Sequence, residues 1–552
     1  MRYIILIMLC WFFTWQAAGQ SDSTKAQGEI ISGEVVVEKD NKIVLPMAEK
    51  IFLRSNTNTL DTSLLQIDFQ INEPLFEWPN YKSDVPFQTA VENYPHEKFQ
   101  NYVKFGFGNY SSPLLEAGFF KKFNQFETNA RVFYESFKSG PVNGDNSDNS
   151  DGGIELSGTY KKNSIAIIPR LKYTNQQYSF YGNANRVNNG FDSSKPDDNS
   201  LNDFVFDVAL TGTKGDVSYS ITPNFSFTNQ SISPQDSGNK ESSIGADASL
   251  SYKIDEKFNT GFDIDANSAS YDGGIQIDRS LVNVKPWVTH KVDKLSIKAG
   301  FVISSGKVGD GSKTGFYPDL SAKYELNSDW SVYGLLSGGQ KWNSLSSTLN
   351  ENQFLDDSLT IVHLEYVSSF GGGIKGKPYK NILLDVGLTF NSVKGLPFYT
   401  PSSSDSSRYT LSFDSESVGI VTLSSSISFM PTSISSYGLK LDINSFSVES
   451  LDKPWHKPTY VIQAFTSHNI QEKLIISAYF TSIGGLRGPA NVDFGSVKLS
   501  SFIDIGVSAK YLITKQVSAF ITANNLLNDE YERYLGYPIR GLSFKLGGQY
   551  RF

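Results

Sequence analysis

The chain has 552 residues and a net charge of -8, which excludes a nucleic-acid partner, because phosphate backbones are held by clustered Lys and Arg. Its one cysteine, Cys10, lies in the N-terminal apolar stretch, so the rest of the chain has no disulfide, thiolate metal site or cysteine nucleophile. With 28 Tyr, 39 Phe and 45 Gly, and Ser, Asn and Asp in clusters, the composition is that of strands and turns rather than long helices. A mean hydropathy of -0.28 does not exclude the membrane, since only alternate residues of a membrane-spanning strand face lipid.

In chain order, residues 1–19 read as a signal peptide. Arg2 gives the positive start, Tyr3 to Phe13 the short apolar core, and Ala17-Ala18-Gly19 the small residues before cleavage. Cys10 sits too early, behind bulky Leu9, for a lipoprotein signal. Residues 20–98 carry Pro46, Pro74, Pro79, Pro86 and Pro95 and only brief apolar runs, which predicts an extended periplasmic or luminal segment. Nothing elsewhere is long and apolar enough for a membrane helix, so a spanning chain must span with strands.

From residue 99 onward a period of two recurs. Val103, Phe105 and Phe107 alternate with Lys104, Gly106 and Gly108; Phe204, Phe206, Val208 and Leu210 with Val205, Asp207, Ala209 and Thr211. Leu295, Ile297, Ala299, Phe301 and Ile303 follow the same rule against Ser296, Lys298, Gly300 and Ser304, with Val302 the exception. Leu320, Ala322, Tyr324 and Leu326 alternate with Ser321, Lys323 and Glu325. The last segment alternates to the chain end: Leu542, Phe544, Leu546, Gly548, Tyr550 and Phe552 on one face, Ser543, Lys545, Gly547, Gln549 and Arg551 on the other.

Connections alternate between two kinds. Short ones often carry Lys: Ile254-Asp255-Glu256-Lys257, Lys291-Val292-Asp293-Lys294, Asn327-Ser328-Asp329, Gln471-Glu472-Lys473 and Thr514-Lys515-Gln516. Long polar ones run over 139–153, 182–200, 229–241, 340–360, 396–408, 447–458 and 484–496. Short turns on one side and long loops on the other predict an all-β fold, a single large antiparallel transmembrane β-barrel over residues 99–552 with about 22 strands. The short turns and both barrel termini then face the periplasm of a Gram-negative cell, and the long loops face outward.

Other motifs carry less. Asp145, Asp148 and Asp151 with Gly152-Gly153 have oxygen ligands suited to calcium, but not the EF-hand spacing, and read as a solvated loop. Gly371, Gly373 and Gly376 match a dinucleotide pattern without its βαβ context and read as small residues leaving space in the wall or lumen. His96, His290, His363, His456 and His468 are scattered, so no catalytic, cofactor-binding or metal-binding set emerges. Trp342, Phe354, Phe398, Tyr399, Trp455 and Tyr534 fall in or near the outer loops, where they serve either a ligand or, more commonly, the interfacial aromatic girdle.

The last stretch resembles the C-terminus of TonB-dependent outer-membrane receptors, through Ala523-Asn524-Asn525-Leu526-Leu527-Asn528, Glu530-Tyr531, Gly536-Tyr537-Pro538, Arg540-Gly541, Ser543-Phe544 and Tyr550-Arg551-Phe552. Tyr317-Pro318-Asp319-Leu320-Ser321 through Trp330-Ser331-Val332-Tyr333 looks like a mid-barrel strand pair of that family. The resemblance implies a 22-stranded barrel, nutrient uptake, and a C-terminal signal (Lys545, Gly547, Tyr550, Phe552) for the barrel-assembly machinery. Gly33 followed by Glu34, Val35, Val36 and Val37 resembles the segment that pairs with TonB as an added strand. The family's plug domain is much longer than residues 20–98, so the chain looks like a plugless relative. A barrel this wide needs filling by loops, by the N-terminal segment, or by a partner: a plug protein or a lid lipoprotein. Two functions follow, uptake through a gated barrel or a non-transporting subunit of an outer-membrane complex, and neither is enzymatic.

Overall fold

The computed structural model describes residues 101–552 except 143, 183–196, 236, 406, 433 and 491–494, and not the side chain of Asp145. The signal peptide, the 20–98 segment, Glu34 to Val37 and His96 lie outside the described residues.

The wall is a sheet of 22 strands in which every strand pairs antiparallel with its neighbours in the chain. The first strand, Tyr102–Gly108, pairs on one side with Ser112–Phe123 and on the other with the last strand, Ser543–Arg551. All seven of its residues are matched on both sides, so the sheet closes and no backbone edge meets lipid. Following paired residues once around the ring returns to the first strand about 24 residues displaced, the stagger that tilted strands require. With neighbours about 4.8 Å apart and a tilt of about 40°, 22 strands enclose a ring roughly 45 Å across.

The period of two decides which side meets what. Phe105, Phe107, Ile244, Phe316, Phe370, Leu546 and Tyr550 are among the large apolar side chains left exposed, all on the outer face. Val302, the exception in its alternating strand, points inward and is buried. The inner face is polar, and its charges are paired across strands. Lys104 stands opposite Glu116 (N–O 3.9 Å), Arg131 opposite Glu155 (3.2 Å), Arg170 opposite Asp207 (2.7 Å) and Lys375 opposite Asp385 (3.3 Å). Lys298, opposite Ser321, reaches two pairs further along to Asp319 (2.9 Å).

A second cross-strand rule uses glycine. Tyr102 faces Gly118, Tyr219 faces Gly212, Phe465 faces Gly438 and Tyr479 faces Gly506. In each pair a Cβ on the glycine would overlap the ring, which lies over the neighbouring backbone. Gly373 and Gly376 are of this kind, leaving room for Tyr333 and Trp330, whereas a Cβ on Gly371 would meet the Leu388 carbonyl oxygen and Thr389.

The short turns are locally encoded. Two-residue connections place Asn163 and Gly215 at φ 52 and 59, the left-handed conformation that Asn and Gly accept. Four-residue turns are closed by one side-chain oxygen. Asp255 accepts the N–H groups of Lys257 and Phe258, Asn327 those of Asp329 and Trp330, and Thr514 those of Gln516 and Val517. Several predicted loop limits shift. Asp151, Gly152 and Gly153 belong to the strand Asn149–Lys162, because the sheet pairing continues past the polar residues.

Replacing Gly506 by Val should lower the urea midpoint of the folded barrel by the equivalent of about 1–3 kcal/mol, since the Tyr479 ring cannot yield without leaving Asp504. Unfolding followed by heat-modifiable gel mobility measures it; an unchanged midpoint would contradict the close-packing account.

Candidate functional site: a cap built from the long loops

The long loops carry structure of their own. The connection 342–363 contains the α-helix Leu345–Glu351, whose N-cap Ser344 accepts the Ser347 N–H while the Ser347 hydroxyl returns to the Ser344 N–H. Small hairpins form from Pro397–Pro401 with Tyr409–Phe413, Arg487–Pro489 with Ser496–Lys498, and Glu532–Tyr534 with Tyr537–Pro538.

The 342–363 loop is fastened to strands well away from its own. Arg279 donates to Asn343 O (2.6 Å), and Leu345 N donates to Glu241 (3.1 Å). Ser346 donates to Asp203 (2.7 Å), Gln230 to Leu355 O (3.1 Å), and Leu359 N to the Tyr271 hydroxyl (3.2 Å). Arg279 and Glu241 form a buried ion pair beneath Trp342, whose ring lies 5.0 Å from the guanidinium. Apart from the Ser346 hydroxyl, each contact satisfies a loop backbone group that would otherwise be buried unpaired.

Loops from further round the ring close on this one. Arg408, in the loop after the strand Ile382–Lys394, contacts Asp356 (3.1 Å) of the fastened loop and Asp197 (2.6 Å), just before the strand Asp198–Lys214. Ten strands of 22 separate these two exits, so the contact spans the mouth nearly along a diameter. Tyr181 donates to Pro538 O (3.0 Å), Tyr534 to Glu351 O (2.5 Å) and Tyr409 to Leu535 O (2.5 Å). Under these bonds lies an apolar core: Leu345, Leu349, Leu355 and Leu359 are fully buried. Phe354 stacks on Tyr537 at 3.5 Å and meets Tyr181 edge-on at 5.7 Å.

The cap's charges are buried and paired. Burial works to raise the Asp356 carboxyl, but hydrogen bonds from Ser402, Ser404, the Asp357 N–H and Arg408 outweigh it and hold it below the usual carboxylate range. Burial lowers the Lys457 amine, against the attraction of Glu351 at 2.8 Å, and the Tyr399 ring lies 5.4 Å away. Beside it His456 is fully buried between Tyr409 and Tyr534, and its Nε2 accepts the Leu535 N–H (3.3 Å). Burial, then the positive charge of Arg533, pushes its pKa down to about 3. This imidazole is neutral in the closed cap.

Phe354, Phe398, Tyr399, Trp455 and Tyr534 are all buried here, and Trp342 is tied to Arg279 and His363. They therefore form neither an exposed ligand surface nor the lipid girdle expected of loop aromatics; they make the cap's interior. Asp148 accepts the Ser179 hydroxyl (3.2 Å), while Asp151 stands in the wall. His290, stacked on Phe258, and His468, beside Tyr437, belong to wall strands and share no site with His456. The C-terminal four divide by parity. Tyr550 and Phe552 point outward and stack, whereas Lys545 pairs with Glu135 over Phe137 and Gly547 makes room for Phe520. The sequence reading missed the loop 525–542, where Tyr531, Tyr534 and Tyr537 are too apolar for a solvated connection; that density was the available signal.

No protein-family profile and no curated protein sequence matches the chain. Solved structures do. The FrpB iron transporter from Neisseria meningitidis (F5-1 variant, apoprotein form) superposes with a TM-score of 0.64 at 12% identity, over 83% of this chain and 81% of that one. The copper transporter OprC gives 0.63 at 9% identity, over 82% and 80%. The ferric-catecholate import receptor Fiu from K12 E. coli gives 0.62 at 10%, over 82% of each. At such identities the likeness establishes fold alone: this wall has the barrel fold of those transporters. That fold and its outward apolar belt support an outer-membrane location.

A buried neutral His456 makes the cap pH-sensitive. Once released to solvent it would titrate near 6.5, so its contribution to closure is complete above that pH and is lost as pH falls toward 3, by about 2 kcal/mol at pH 5. Protease nicking of the long loops should rise between pH 7 and 5 in the wild type and lose that rise in H456Q.

Proposed function

We propose that the chain is an outer-membrane transport barrel for uptake of a nutrient, held shut at its long-loop mouth by its own cap. One observation carries this reading: Arg408, which Asp356 of a nearby loop also holds, reaches Asp197 from nearly the opposite side of the ring. The similarity to an iron transporter, a copper transporter and a ferric-catecholate import receptor supports it. A related barrel, FpvA, has been solved with ferripyoverdine bound and in complex with pyocin S2, a precedent for recognition on such a scaffold.

In this reading the long loops lie outside and both barrel ends in the periplasm, where the 20–98 segment continues the chain. A plug partner, a lid lipoprotein, or TonB acting through Glu34 to Val37 would couple opening to its signal. Lys545, Gly547, Tyr550 and Phe552 would be read by the barrel-assembly machinery, with the outward rings of Tyr550 and Phe552 most accessible before the wall closes. The inner wall pairs its cations with carboxylates, so the lumen favours neither sign of charge strongly.

In planar bilayers the wild type should stay closed, and replacing residues 343–361 and 396–416 with short Gly/Ser links should produce a steady conducting pore. A wild type that conducts steadily would overturn the closed-cap reading. Recovery of a stoichiometric partner in mild detergent, with both forms silent, would favour the complex-subunit reading instead.

A further inference from the structure

The lysines of the short turns find no role in the cap or the lumen. Nearly every short turn carries or borders one, and Lys121, Lys162, Lys214, Lys257, Lys473 and Lys515 are all exposed at that rim. The chain as a whole is acidic, at -8, yet at this rim, where Lys161, Lys253, Lys291, Lys294 and Lys380 are exposed as well, the lysines outnumber the exposed carboxylates Asp216, Asp255, Glu256, Asp293, Asp329 and Glu472. Asp255 is turned back onto the N–H groups of its own turn.

Pairing separates these cations from those of the lumen. Inside, Lys104, Lys285, Lys298, Lys375 and Lys440 each have a carboxylate within 4 Å. Among the described residues, none of the six rim lysines above has an ion-pair partner. The chain could have paired them by the cross-strand rule, as it does for Lys122 with Glu127 (2.8 Å) at the same rim, and does not.

Depth supplies the other constraint. The same rim carries the outward aromatics Phe123, Tyr252, Tyr324, Tyr379, Tyr511 and Tyr550, and the Lys121 amine lies 4.8 Å above the Phe123 ring. Exposed Tyr and Phe at the end of an apolar belt mark the membrane–water boundary. A flexible lysine beside them reaches the plane of the lipid phosphates with its apolar stem in the belt.

We propose that the lysine collar on the short-turn rim is a binding surface for the phosphate groups of anionic phospholipids in the adjoining leaflet. The collar gathers negatively charged lipid around that end of the barrel and fixes its depth. This surface is independent of the transport reading, since it lies at the end opposite the cap.

The test uses the full chain in bilayers of four parts phosphatidylcholine to one part phosphatidylglycerol. Discs are cut out with a styrene–maleic acid polymer and their lipid is quantified against the bulk. The collar should enrich phosphatidylglycerol about threefold at low salt and lose the enrichment at 0.5 M salt. The variant K121Q/K162Q/K214Q/K257Q/K473Q/K515Q, checked for folding by heat-modifiable mobility, should return the ratio to that of the bulk. A bulk ratio in the wild type, or enrichment that survives in the variant, overturns the proposal. Binding of soluble polyglutamate without phosphatidylglycerol enrichment also overturns it, and assigns the collar to an acidic protein partner.

Discussion

The pairing of Tyr102–Gly108 with Ser543–Arg551 is the interaction on which the rest depends. In lipid every backbone N–H and C=O needs a partner inside the protein, and an open sheet leaves two rows unmet. Closure joins segments more than four hundred residues apart, so the wall exists only once the whole ring is made. The chain then has little freedom left. Outward positions are apolar because they meet lipid, and inward positions are polar because they meet water or each other. Glycines stand where a ring must lie flat across the neighbouring strand, as Gly506 does for Tyr479.

Closure at this width has a consequence of its own. A ring of 22 strands encloses far more space than side chains can fill, and the ion pairs of Lys104, Arg131, Arg170 and Lys375 line the wall without crossing it. The long loops meet the problem at one end. They fold as a small soluble domain would, with a helix, three hairpins, an apolar core and buried paired charges, assembled from segments that leave the wall on opposite sides. The 342–363 loop is fixed by wall residues such as Arg279, Glu241 and Asp203, while the loops bearing Arg408, His456 and Tyr534 rest on it. The fixed loop is the frame on which the others close. Arg408 and His456 sit where the two meet.

The wall was legible in the sequence because its rule is local. A period of two, a short turn, and a switch of face can each be read within about a dozen residues, and the alternation of connection lengths gave the strand number. The cap was not legible, because its rule is not local. Nothing near Phe354 announces that its ring stacks on Tyr537, or that Tyr409 will bond Leu535. The loop aromatics were therefore given the uses common for such residues, ligand contact or girdle. In the segment 525–542 the sequence marks Tyr534 as a loop aromatic and otherwise shows a resemblance to other chains, neither of which reveals its place in the cap. Lys545 shows the same limit: its alternation gave the inward face, but its partner Glu135 comes from a strand far away in sequence.

Hydrogen exchange of the cap's own backbone tests the central claim most directly. The Asp356 N–H bonds to Tyr409 O and the Tyr409 N–H to Phe354 O, linking two loops over the mouth. In the folded barrel at neutral pH these amides should exchange at least about a hundredfold more slowly than an open chain. Exchange at the open-chain rate, with the wall strands fully protected, would contradict the account.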